Sequence, residues 1–177
     1  MMERFLYLAV YLVIFGIIIF LKKKLKSSEH YDEMQLQIRA DAYKYAYGTT
    51  VVLLSGLILM VVIDSAAVPS YILSGVLLII LLAGVLVFGV YCIRHDSFFF
   101  IGQDWKRYFT LCIVVDAINL FTLVRNAIKL FTQNNETLML QGLIANIIVE
   151  AGIVTFFTVI CVMILSKMIS NKKDAEV

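Results

Sequence analysis

The chain has 177 residues, 62% of them hydrophobic and only 16% charged, and its net charge is +2. Soluble domains carry about 45–50% apolar and about 25% charged residues, so this composition excludes a soluble globular enzyme, a disordered chain and a secreted disulfide scaffold. Its three cysteines, Cys92, Cys112 and Cys161, sit inside apolar runs without a C-x-x-C pair, which favours neither a disulfide framework nor a zinc site.

A helix needs roughly 20 mainly apolar residues to cross about 30 Å of hydrocarbon, and five stretches meet or approach that. The first, residues 5–21, is uncharged and runs into Lys22, Lys23, Lys24 and Lys26. Lysines that follow the apolar run, with no small-residue cleavage pattern, predict a retained anchor rather than a signal peptide. The cluster suits anionic lipid headgroups, at about 1 kcal/mol per basic residue near the surface. Residues 31–44 then predict a helix at the cytoplasmic surface that continues into the second span, 45–63. Met34, Ile38, Ala42 and Tyr45 recur every three or four residues and mark its apolar face. Tyr43, Tyr45 and Tyr47 predict an aromatic belt at the membrane boundary.

A short link, Asp64–Ser70, is broken by Pro69 and leads to the third span, 71–93. The next stretch, Arg94–Arg107, holds Phe98, Phe99, Phe100 and Trp105 and reads as a loop lying in the headgroup layer, with a docking surface for a partner protein as the alternative. The fourth span, 108–131, is the weakest, because Asp116, Arg125 and Lys129 interrupt it. The fifth, 138–166, carries one charge, Glu150, and is long enough to tilt or to begin as an interfacial turn. With no β-barrel alternation, a spanning backbone must satisfy itself within helices. The predicted fold is therefore an all-α, polytopic membrane protein with five transmembrane helices in a single domain.

Orientation follows from lysine and arginine placement. All 15 of these residues except Arg4, Arg125 and Lys129 fall on one side of the five spans, which puts the N-terminus outside and the C-terminus in the cytoplasm.

Polar residues inside spans are costly in lipid and mark packing or function. Asp116, Asn119 and Asn126 share one face of the fourth span at 100° per residue, and Asn146 and Glu150 lie one turn apart on the fifth. A tight hairpin turning near residues 134 and 135 brings Asp116, Asn119, Asn146 and Glu150 to similar depth. Such a cluster serves as hydrogen-bonded glue between helices, as a proton or cation site, or as a position reached by water through local bilayer thinning. The small pairs Ser55-Gly56, Ser74-Gly75, Ala83-Gly84 and Ala151-Gly152 predict close helix contacts. No catalytic or phosphate-binding motif occurs. His30 and His95 lie in different segments and define no metal site, so no metal, cofactor or nucleic acid is expected.

The segment Tyr31–Tyr47 contains Asp32, Glu33, Ile38, Arg39 and Ala42. It resembles a loose group of small, uncharacterised multi-pass membrane proteins of Gram-positive bacteria. Their cytoplasmic segment reads D-E-R, then I-R-x-x-A, then an aromatic-rich approach to a span; Met34 stands where that group has Arg. The resemblance covers 17 residues and implies a bacterial plasma membrane, without supplying a reaction. Asp32, Glu33 and Arg39 are placed to form a charge network with other cytoplasmic loops or to cap the surface helix.

Together these features predict a small non-enzymatic membrane component that packs with a membrane-protein partner or with itself. The alternative is a small proton- or cation-coupled transporter or channel using Asp116 and Glu150.

Overall fold

The computed structural model describes residues 31–99, 105–132 and 137–175. The chain divides into two compact units, residues 1–32 and 33–177, and the second is described below. The predicted first span, 5–21, and the lysines Lys22, Lys23, Lys24 and Lys26 lie outside the described residues.

Among the described residues four helices form and no strand: α1 (Glu33–Ile63), α2 (Ser70–Arg94), α3 (Trp105–Thr132) and α4 (Thr137–Ala175). All four are long and apolar enough to cross a membrane, as expected of a multi-pass membrane protein. The surface helix and the second span are one continuous element, α1, since neither proline nor a capping turn interrupts residues 33–63. Its end is enforced locally. Asp64 accepts the backbone N–H of Ala66 on its side chain at 2.9 Å and that of Ala67 on its carbonyl at 3.0 Å. Pro69, with φ −55° and ψ 139°, then holds the chain extended just before α2.

The helices pack in the order α1–α2–α4–α3, each outer helix touching only one neighbour among these four. α2 and α4 lie parallel, the other two contacts are antiparallel, and the contacts are close. A side chain at Gly84 would collide with the Thr50 hydroxyl of α1, and one at Gly152 would meet Ile79 of α2. Gly75 of α2 faces Ile148 and Val149 of α4. Where lipid replaces water the hydrophobic effect between helices vanishes, and small residues that admit close van der Waals contact carry the packing. Ser55-Gly56 differs, because nothing lies within 4 Å of a side chain built at Gly56.

The apolar face of α1 is covered only in part: Met34 is 71% exposed and Tyr45 58%. Ala42 is fully buried, and its stripe continues through Gln35 and Arg39, whose polar groups reach the end of α2. Phe98 and Phe99 pack against a core of Ile93, Ile160 and Ile164, with Phe109 beside them. The turn after Arg94 directs them inward.

Candidate functional site

Two polar constellations stand out, one at the end of the bundle where α2 stops and one along the α3–α4 seam.

The first is built on the C-terminus of α2. His95, Asp96 and Ser97 donate backbone N–H groups to the carbonyls of Tyr91 (3.2 Å), Ile93 (3.4 Å) and Cys92 (2.9 Å). The 6→1 and 5→2 bonds define a Schellman motif, whose left-handed position usually holds glycine. Here that position is Asp96, with φ +54°. Turning the chain back exposes the Asp96 and Ser97 carbonyls, and both need donors. α1 supplies them: Gln35 Nε2 donates to the Asp96 carbonyl at 2.9 Å and Arg39 Nη1 to that of Ser97 at 3.2 Å.

Arg39 also lies over the Phe88 ring at 5.5 Å. α4 contributes Lys167, whose Nζ is 2.7 Å from Asp96 Oδ2. Ser97 is fully buried, and its hydroxyl returns to the Cys92 carbonyl at 3.4 Å. One turn thus ties α1 and α4 to the end of α2. The Lys167–Asp96 pair is partly exposed and contributes at most about 1 kcal/mol, so the backbone bonds and the burial of Ser97 dominate. Of the predicted motif, Arg39 belongs to this knot, whereas Glu33 is exposed in the first turn of α1 and Asp32 precedes the helix.

The second constellation contains the predicted intramembrane residues in a different pairing. Glu150 accepts from the Asn126 amide nitrogen, Nδ2, which lies 2.9 and 3.1 Å from its two carboxyl oxygens, and Asn126 is 7% exposed. Asp116 Oδ2 accepts the Thr158 hydroxyl at 2.9 Å, while its Oδ1 is shielded and accepts no hydrogen bond. Asn119 donates to the carbonyl of Val115 in its own helix at 2.8 Å, and Asn146 is exposed. The structure therefore brings together neither Asn119 with Glu150 nor Asp116 with Glu150. Thr158, the partner of Asp116, is eight residues beyond Glu150, about 12 Å along α4 at 1.5 Å per residue.

The physical reason is register. The pairs Asn126–Glu150 and Asp116–Thr158 are centred near residues 137 and 138, a few positions past the link between α3 and α4. α4 starts beyond the end of α3 and slides past it, so each residue meets a partner further along the opposite helix. The unusual length of the fifth apolar stretch was the available signal for this overhang. Asn126 was visible on the same face as Asp116, but its partner depended on the slide. Nothing in the sequence marked Thr158.

Among the described residues no three His, Cys, Asp or Glu side chains form a group that could hold a metal ion. Compared with protein-family models, curated proteins and solved structures, the chain matches none.

Proposed function

We propose that this protein is a small non-enzymatic component of a bacterial plasma-membrane assembly, packed against another membrane protein or a second copy of itself. In this reading it has five spans, with the N-terminus outside and the C-terminus in the cytoplasm. Its basic end faces anionic headgroups, to which Lys22, Lys23, Lys24 and Lys26 add. The observation that carries the reading is the exposure of Asn146 well inside α4. An amide facing hydrocarbon is costly and gains hydrogen bonds when a neighbouring helix covers it. The outer helices α1 and α3 each pack against one neighbour among the four described helices.

A second reading rests on the shielded Asp116 Oδ1 without a hydrogen bond: the carboxyl group would take up a proton or cation during transport. Glu150 is less suited to that role, because one amide occupies both its oxygens.

One experiment separates them. Asn146→Cys in the full chain is cross-linked in the native membrane and purified in mild detergent, and proteoliposomes of the unmodified chain are assayed for pH-dependent ion flux. The component reading expects a defined cross-linked dimer or partner through position 146 and no flux. A monomer without cross-links, together with flux abolished by Asp116→Asn, overturns it in favour of transport.

A further inference from the structure

We propose that the groove between α1 and α2 at the Arg94 end is a binding site for one anionic phospholipid. Its phosphodiester would be held by Arg94 and one acyl chain laid along the groove floor. The cleft has a volume of about 400 Å³. α1 contributes Tyr45 and Thr49, and α2 contributes Leu86, Val87, Val90, Tyr91 and Arg94.

Its chemistry is graded along the helix axis. Arg94, in the last turn of α2, is the charged end. Tyr45 and Tyr91 follow, their rings 5.2 Å apart, and His95 stacks on Tyr91 at 4.6 Å. Thr49 gives its hydroxyl to the Tyr45 carbonyl at 2.9 Å, so it adds no free donor deeper in the cleft. Val90, Val87 and Leu86 complete an aliphatic floor extending about 12 Å from Arg94 at 1.5 Å per residue. Cation, then amphipathic aromatics, then aliphatic wall is the order in which a bilayer presents phosphate, glycerol and acyl chain.

Charge complementarity selects the occupant. Three other basic groups at this end are already engaged: Arg39 with the Ser97 carbonyl, Lys44 with Asp41 at 2.8 Å and Lys167 with Asp96. Arg94 is exposed and has no acidic partner among the described residues. A guanidinium presents a planar fork that matches a phosphate bidentately. A second cleft of about 510 Å³ begins at Lys106, but α3 alone lines it and Lys106 has another interaction. The α1–α2 cleft combines two helix walls with a cation that has no acidic partner among the described residues. The site requires only that the helices lie in a bilayer, whatever the assembly or transport role.

The test uses the full chain purified in mild detergent, titrated with phosphatidylglycerol and separately with phosphatidylcholine, with bound lipid counted by native mass spectrometry. One phosphatidylglycerol is expected to bind about fivefold or more tightly than phosphatidylcholine, the discrimination available from one interfacial cation. Arg94→Gln, at an exposed position, should erase that preference without lowering the unfolding temperature. Val87→Trp, or Val90→Trp if the first variant folds poorly, should fill the cleft and reduce binding of both lipids. Equal affinity for the two lipids overturns the site, as does a preference that survives Arg94→Gln. A preference lost only when Lys22, Lys23 and Lys24 are changed to Gln also overturns it. Capture of residues 1–30 of this chain by a photo-crosslinker at Val87 does the same, because the chain itself would then fill the cleft.

Discussion

Asp96 stands where the left-handed turn after a helix normally takes glycine, with φ +54°. A residue with a Cβ pays roughly 1–2 kcal/mol for that conformation, less for Asp and Asn than for others. Its return is the 2.7 Å contact with Lys167, a partly exposed pair worth at most about 1 kcal/mol. The two contributions are close in size, which leads to a specific expectation. Asp96→Gly should unfold within about 1 kcal/mol of the parent in detergent, because backbone relief offsets the lost ion pair. Asp96→Val should lose roughly 1–3 kcal/mol, since a β-branched residue is strained at positive φ and forms no ion pair. Thermal unfolding of the two variants side by side measures the difference; equal losses would assign the effect to the carboxylate instead. Neither the turn nor its partners was legible from residues 94–107. A helix end after Arg94 could be read, but Gln35 and Arg39 are brought there by α1 and Lys167 by α4.

Among the elements, the α1–α2 contact shows most clearly what closes this bundle. Thr50 bonds its hydroxyl to the Ala46 carbonyl at 2.9 Å, which turns it toward Gly84 and leaves no room for a methyl group there. Gly84→Ala should therefore cost about 1–3 kcal/mol by overpacking, and adding Thr50→Ala should restore much of the loss. Gly56→Ala meets open space and should be neutral or stabilising by up to about 1 kcal/mol, since alanine suits a helix better. Loss of thermal stability for Gly84→Ala that Thr50→Ala does not relieve would place the strain in the backbone. The small pairs were readable in sequence; which of them face a neighbour was not, because a glycine signals close approach without naming a direction. The same limit applies to α3 and α4, where 100° spacing sorted polar residues by face but left the slide between helices undetermined.

For the whole molecule, the row α1–α2–α4–α3 gathers Arg39, Lys44, Arg94, Lys106 and Lys167 toward one end and Arg125 and Lys129 toward the other. If that asymmetry orients the chain, a C-terminal green fluorescent protein fusion in bacterial cells is fluorescent and a C-terminal alkaline phosphatase fusion is inactive. The opposite pair of results would place the C-terminus outside, either by reversing the whole chain or by removing one span. The outcome also bears on the weakest apolar stretch, 108–131, because an even change in span number moves nothing while the loss of one span moves the C-terminus.

Composition and the spacing of apolar residues determined the class of this protein by themselves. An isolated backbone in lipid has to satisfy its own hydrogen bonds, so a long apolar stretch already implies a helix and approximately where it begins and ends. The sequence also exposed the costly residues, Asp116, Asn126 and Glu150, because polarity within a span is conspicuous whatever surrounds it. Only the tertiary structure decided their partners: Asn126 for Glu150, Thr158 for Asp116, and Gln35 and Arg39 for the turn after α2. Those pairings depend on how far one helix slides past another and which side it turns inward. At the α1–α2 and α2–α4 contacts the close approach at Gly84, Gly75 and Gly152 helps to set both, and such contact exists only once the helices have packed.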